Sequence, residues 1–147
     1  MPRFTQSVHL DAPPQAVYDF VTNASLWPTW HPATRAVRDV PARPLVLGET
    51  MVEDIRAGWR HEEATWRVTE YLPPRRWSIA ARSPRGHATV SYDLQAETGG
   101  TRFQRTCEFA TLGPLSFLDG TVVQWLLRRQ AAQALENLRR KTSWAPP

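Results

Sequence analysis

Residues 123–138 read VQWLLRRQAAQALENL, and their apolar side chains recur at the spacing of one helical face. Successive members of that face are separated by 4, 4, 3 and 4 residues, and they are Val123, Leu127, Ala131, Ala134 and Leu138. Charged side chains such as Arg128 and Glu136 fall on the opposite side. This stretch predicts a long amphipathic helix that is bulky in its first half and small at two positions in its second half.

The residues before this helix alternate with the period of β-strands. Residues 3–10 place an apolar set opposite a polar set, as in a half-buried strand. A short helix and a proline-interrupted elbow at 24–31 are expected next, because Pro28 and Pro32 each disfavour helix in the residue before them. Further strands are predicted at about residues 34–40, 48–56, 59–71, 76–83, 86–96 and 101–110, with Pro- and Gly-containing turns between them.

Short connections between consecutive strands favour an antiparallel sheet, and the terminal helix is the main element available to cover its apolar face. The order of elements therefore predicts an α+β fold with two short helices after the first strand. Its seven-stranded curved antiparallel sheet wraps around a long C-terminal helix, and residues 1–147 are expected to form one domain. The small residues on the helix imply one of two arrangements: either the sheet packs closely against the helix there, or a cavity opens between them. A cavity of this kind usually serves to bind a ligand.

Composition and charge narrow the class of protein. The formal net charge is +4, but the arginines are spread among acidic residues and Lys141 is the only lysine. No groove-reading motif accompanies them, so we expect no nucleic-acid partner. No apolar run is long enough to span a bilayer, so stable membrane insertion is not expected either. The single cysteine, Cys107, cannot form an internal disulfide, which favours a cytoplasmic protein.

Three stretches carry a resemblance to a known family. They are APPQAVYDFVTNASLWPTWHP at residues 12–32, WRVTEYLPPRRW at 66–77 and GGTRFQRTCEF at 99–109. In this order of elements the chain resembles the START-like SRPBCC superfamily, in particular its polyketide cyclase/dehydrase and lipid-transport branch. The resemblance covers about residues 3–142. It implies a helix-grip fold with a mainly hydrophobic pocket between the sheet and the C-terminal helix.

The elbow contains two indoles and an imidazole, and the resemblance implies that it lies near the pocket mouth. We expect at least one of Trp27 and Trp30 to fill the core, while the other borders the cavity entrance with His31. Histidine titrates near neutrality, so His31 is a candidate general base if the protein is an enzyme. A surface histidine that caps the turn before Pro32 is the simpler alternative.

Strand parity supplies the remaining candidate site residues. An inward Phe103 brings Arg105 onto the same apolar face, where a guanidinium needs strong acceptors. Arg105 could hold an enolate or carboxylate of a ligand, or could form an internal ion pair with Glu53 or Glu62. The predicted ligand-binding set is completed by Trp27, Trp30, Trp66, Tyr92, Phe103, Leu127 and Ala131.

Three classes of function follow from these patterns. The leading hypothesis is a carrier that binds a small hydrophobic or amphipathic molecule, such as a lipid, an isoprenoid or a polyketide-like compound, as a monomer or weak homodimer. The alternative is a cyclase or dehydratase that catalyses intramolecular aldol condensation and dehydration, with Arg105 as donor and His31 as base. A protein-interaction domain is the third. The sequence predicts no cofactor and no metal site, since its four histidines lack ligand spacing.

Overall fold

The chain begins with a strand that leads into two short helices. The computed structural model describes residues 3–57, 60–83, 86–111 and 122–141. Strand β1 (Arg3–Leu10) is followed by helix α1 (Pro14–Val21) and by a 3₁₀ helix (Ala24–Thr29). Prolines suit the first turn of α1, because the amide hydrogens there have no helical partner. The two short helices predicted after the first strand are confirmed.

Six strands follow, and they form one antiparallel sheet with β1. They are β2 (Thr34–Arg38), β3 (Thr50–Ala57), β4 (Arg60–Leu72), β5 (Arg76–Ser83), β6 (Gly86–Glu97) and β7 (Gly100–Thr111). The strand order is β1-β7-β6-β5-β4-β3-β2, which is a meander closed at one side by the first strand. The predicted seven-stranded antiparallel sheet is thus confirmed, with strand ends that shift by a few residues.

The last described element is helix α2 (Val122–Arg139), as the helical spacing predicts. Its core-facing residues in the second half are Ala131, Ala134, Leu135 and Leu138, all buried. The Asn137 side-chain amide donates to the Trp30 carbonyl oxygen at 2.9 Å, so the helix is also tied to the elbow. On the exposed side Glu136 pairs with Arg140 at 3.1 Å.

Four aromatic rings in contact fill one end of the space between sheet and helices. Trp27 and Trp77 meet edge to face with their ring centroids 6.1 Å apart. Tyr92 lies 5.1 Å from Trp77, and Phe103 lies 5.0 Å from Tyr92. Both indole N–H groups are satisfied by backbone carbonyls, that of Trp27 by Val21 at 2.9 Å and that of Trp77 by Leu45 at 3.0 Å. This aromatic chain joins the elbow to β5, β6 and β7.

Within the described ranges, no helix has both the length and the apolar character needed to cross a membrane.

The contact of α2 with the core provides a test of the fold. Leu138 is fully buried, whereas Leu47 in the loop before β3 is 63% exposed. We expect Leu138→Ala to lower the free energy of unfolding by about 2–5 kcal/mol, because it removes buried methyl groups and leaves a cavity. The matched Leu47→Ala change should stay within about 0.5 kcal/mol of wild type in urea titrations followed by circular dichroism. Equal losses in both variants would contradict the packing described here.

Candidate functional site

The inner face of the sheet has a filled end and a half-exposed end. Around the aromatic chain the inward residues are almost fully buried, as at Leu10, Leu94 and Ile79. Toward the other end, residues of the same inward parity are only half-buried. These are Ile55, Glu62, Ala64, Ala81, Ala88 and Phe109, which pair in register mostly with one another. The described side chains therefore leave this second end of the inner face partly exposed.

Arg105 is a basic residue on the inward face of β7. Its neighbours in the register are Tyr92 on β6 and Gln6 on β1, so it lies on the inward face that the sequence predicts. The Nε atom is buried and has no hydrogen-bond partner. Burial opposes the positive charge, but the nearby Cys107 and Tyr92 side chains raise the pKa of Arg105 above its usual value. The guanidinium therefore stays charged, and although it is hydrogen-bonded to the Tyr92 hydroxyl, its Nε donor is unused.

Glu53 is a buried carboxylate in the same interior. Trp66 Nε1 donates to its Oε1 at 2.9 Å, and the Thr34 hydroxyl donates to its Oε2. Burial raises the pKa of Glu53, and the two hydrogen bonds and the charge of Arg105 oppose that rise. The charge of Arg105 lowers the pKa of Glu53 through space, and no direct ion pair joins these two described residues. The pair considered for Arg105 with Glu53 is therefore not formed, and the alternative pair with Glu62 stays a prediction.

His31 follows the 3₁₀ helix and lies half-buried beside Trp30, with ring centroids 5.8 Å apart. The elbow is closed by backbone bonds, since the His31 amide donates to the Trp27 carbonyl oxygen at 2.8 Å. Burial and the nearby Arg105 guanidinium hold the pKa of His31 well below its usual 6.5. The structure therefore brings His31 and Arg105 into electrostatic range, with the imidazole neutral at physiological pH.

The two indoles of the elbow differ in how their N–H groups are used. Both rings are buried, with 4% of Trp27 and 3% of Trp30 exposed. Trp27 packs against Trp77 and its N–H is satisfied, so it fills the core. The buried Nε1 of Trp30 has no partner. Of the two, only Trp30 therefore has a hydrogen-bond donor left for another molecule.

The other predicted ligand-binding residues lie on the faces expected from the sequence. Trp66, Tyr92, Phe103 and Ala131 are all buried and directed inward. Tyr92 and Phe103 belong to the aromatic chain, and Trp66 is bonded to Glu53. Leu127 is part of α2, but its side chain lies outside the described part of the structure. Glu53 is considered above only as an ion-pair partner, although it has the same parity as Met51 and Ile55, which places it on the inward face.

A groove of about 800 Å³ lies at the other surface of the sheet, beside the turn between β4 and β5. None of the predicted site residues lines it. Its floor contains Arg76, which is bonded to Asp93 at 2.7 Å and to Glu70 at 3.1 Å. This arginine is saturated by carboxylates, in contrast to Arg105. Among the described residues there is also no group of three or more His, Cys, Asp or Glu that could hold a metal ion.

The family model for polyketide cyclase/dehydrase and lipid transport matches residues 1–142. The chain belongs to this family. The match confirms the resemblance on which the helix-grip expectation depends.

Solved structures with the same fold include a START superfamily protein and two aromatase/cyclases. A START superfamily protein from Mycobacterium smegmatis is 11% identical, with a TM-score of 0.76 over 96% of this chain and 99% of that chain. The Zhui aromatase/cyclase from Streptomyces sp. R1128 is 14% identical, with a TM-score of 0.73 over 93% and 90%. The di-domain aromatase/cyclase BexL from the BE-7585A biosynthetic pathway is 22% identical, with a TM-score of 0.70 over 99% and 51%. At these identities the likeness shows the shared fold.

No curated protein sequence matches the chain.

The depressed pKa of His31 predicts how stability depends on pH. Below pH 6.5 the unfolded chain takes up a proton at His31 and the folded chain does not, so wild type loses stability as pH falls. His31→Asn removes this titration, and the stability advantage of wild type over the variant should shrink between pH 7 and pH 5 in urea titrations. A constant difference over this range would contradict the assignment.

His9 supplies the opposite control. Its pKa is raised, chiefly by the hydrogen bond to Glu97, so its contribution is present below 6.5 and is lost as pH rises through the raised pKa. The advantage of wild type over His9→Asn should therefore grow as pH falls from 8 to 6. Glu53 titrates equally in wild type and in both variants, so its own pH dependence cancels in these differences.

Proposed function

We propose that the protein binds a small hydrophobic or amphipathic molecule between the inner face of the sheet and α2, with the polar end of that molecule at Arg105. The observation that carries the proposal is the buried, unpartnered Nε of Arg105, on the same inward face as the half-buried apolar side chains of the second end. A buried donor without an acceptor is costly, and a ligand oxygen at Nε would remove that cost. Family membership supports the same function.

The apolar part of such a ligand would contact the half-exposed inward side chains. Ala64, Ala81 and Ala88 are small, and Phe109 stands among them as a large apolar contact. Ligand sites of this kind are mostly apolar, with a few polar groups that fix orientation. Trp66 and Tyr92 line the inward face nearby, and Ala131 faces the sheet from α2. We infer a lipid, an isoprenoid or an aromatic polyketide-like compound as the class of ligand.

We also propose a domain organisation, a compartment and an oligomeric state for the protein. Residues 1–147 are taken as one ligand-binding unit that works in the cytoplasm as a monomer or weak homodimer. Cys107 is free and buried, as is common in a reducing compartment. Native mass spectrometry of protein purified from its own host would measure both the oligomeric state and any retained small molecule.

A second candidate is a cyclase or dehydratase, and one observation favours it. Arg105 lies close to a neutral His31 and to the Tyr92 phenol, in a region where water is restricted. A donor of this kind can stabilise the oxyanion of an enolate while a base removes the α-proton. On this reading Arg105→Leu would abolish turnover of a poly-ketone substrate, whereas a carrier would show no turnover in wild type.

The carrier proposal is tested with an amphipathic anion. Wild type should bind 1-anilinonaphthalene-8-sulfonate with a fluorescence increase, the naphthalene against the apolar wall and the sulfonate at Arg105. We expect Arg105→Leu to raise the dissociation constant about tenfold or more, because a charge-assisted hydrogen bond is lost. Arg102→Leu is the matched control, since Arg102 lies on the same strand but points to the outer face and is exposed.

Near-ultraviolet circular dichroism should confirm that both variants keep native packing, because a loosened core would also bind the dye. The same affinity in all three proteins would overturn the assignment of Arg105. No binding to native wild type would overturn the binding function.

A further inference from the structure

The ring of His31 is oriented by the turn in which it lies. The Ala33 amide donates to His31 Nδ1 at 3.2 Å, and the Thr34 amide donates to the His31 carbonyl oxygen at 3.1 Å. A backbone amide can only donate, so Nδ1 must be an unprotonated acceptor. A neutral imidazole carries its single proton on the other nitrogen. His31 therefore holds its proton on Nε2, and that atom is a donor.

Protonation of the ring is opposed by the same contact. An imidazolium would direct the Nδ1 hydrogen at the Ala33 amide hydrogen and lose the bond that fixes the ring. The burial of His31 and the charge of Arg105, which lower its pKa, act in the same direction. None of the described residues makes a hydrogen bond to Nε2. The Nε2 hydrogen, on the ring edge away from the turn, is thus available to a ligand.

Two more donors without acceptors lie near this imidazole. The Trp30 ring contacts His31, and its buried Nε1 is unpartnered. Arg105, whose charge acts on His31, has an unpartnered Nε. The nearby Glu53 and Tyr92 oxygens each accept a hydrogen bond from another group, and none of them is bonded to these two donor atoms. An unpartnered acceptor does occur at Gln130 Oε1, but that amide is held by the Arg56 carbonyl oxygen at the end of β3.

We propose that His31 is a specificity-determining donor, and that the polar end of the ligand is an oxygen acceptor without donor hydrogens, such as a ketone or carboxylate oxygen, received by His31 Nε2 together with Trp30 and Arg105. This inference rests on the proposed ligand binding. His31 is therefore not the general base that the sequence suggests. It is a hydrogen-bond donor that polarises a carbonyl group. Amines and other donor groups are disfavoured at this position, because they would meet donors.

The tautomer is measured first, on ¹⁵N-labelled protein near pH 8. Long-range ¹H–¹⁵N correlation separates a protonated ring nitrogen from an unprotonated one, and the His31 signals are identified by their loss in His31→Asn. We expect Nε2 to be protonated and Nδ1 to be unprotonated. A proton on Nδ1 would overturn the proposal, whether or not any ligand binds.

The ligand class is measured with two probes of nearly equal shape. 2-Acetylnaphthalene has a carbonyl acceptor, and 2-isopropenylnaphthalene has a methylene group in its place. Wild type should bind the ketone about tenfold more tightly, which is the difference expected from one or two net hydrogen bonds. In His31→Asn the preference should fall to about threefold or less, because the shorter amide can still accept from the Ala33 amide but does not reach the position of Nε2.

His87→Asn is the matched control, since His87 lies on the outer face of β6, and it should keep the full preference. Equal binding of the two probes to wild type would overturn the ligand class and leave the carrier function standing. Failure of both probes to bind would overturn the carrier function itself, and the ligand class with it.

Discussion

Contact among Trp27, Trp77, Tyr92 and Phe103 is the interaction on which the rest of the interior depends. The chain of rings runs from the elbow across β5 and β6 to β7, with neighbouring centroids 5.0–6.1 Å apart. Aromatic pairs in such arrangements add to the stabilisation from burial alone. Because these rings occupy the inward face, Arg105, which pairs in register with Tyr92, is held at the edge of the aromatic chain.

The polar groups on the inward face serve two purposes. One connects the strands, and the other keeps a hydrogen-bond donor for a ligand. Glu53 is bonded by Thr34 and Trp66, so it connects β2, β3 and β4 across the inner face. With both of its oxygens engaged, the carboxylate balances the charge of Arg105 from a distance and does not cover it. In a buried ion pair with direct contact, the carboxylate would have occupied the guanidinium donors, and they would serve only to stabilise the fold. The separation leaves Arg105 charged, with its Nε donor open to another acceptor.

The sequence predicts the inner and outer faces of the strands well, because period-two alternation is a local property. Phe103, Arg105 and Cys107 share the inward face as the parity of β7 requires. Parity does not reveal which residues meet across the curl of the sheet. The approach of Glu53 to Arg105 depends on the twist accumulated over the strands between β3 and β7. Irregularities between Thr34 and Ala36 and between Val68 and Glu70 also shift the register by local backbone geometry, which composition does not encode.

The elbow shows a second limit of sequence reasoning. Its prolines predict the tight bend, but the proton position on His31 depends on a single amide that the bend turns toward the ring. The different roles of Trp27 and Trp30 likewise depend on which carbonyl each indole N–H reaches. Such distinctions are set by angles within one turn, and two sequences with the same pattern could differ in them.

Cys107 gives this interior a natural chemical reporter. The thiol is free, 8% exposed and paired in register with Phe4 and Val90, and burial raises its pKa. Because little thiolate forms and water-borne reagents are excluded, its alkylation requires the sheet to part from the elements that cover it. With no other cysteine in the chain, the rate of that single reaction records how often the interior opens, and whether an occupant holds it shut.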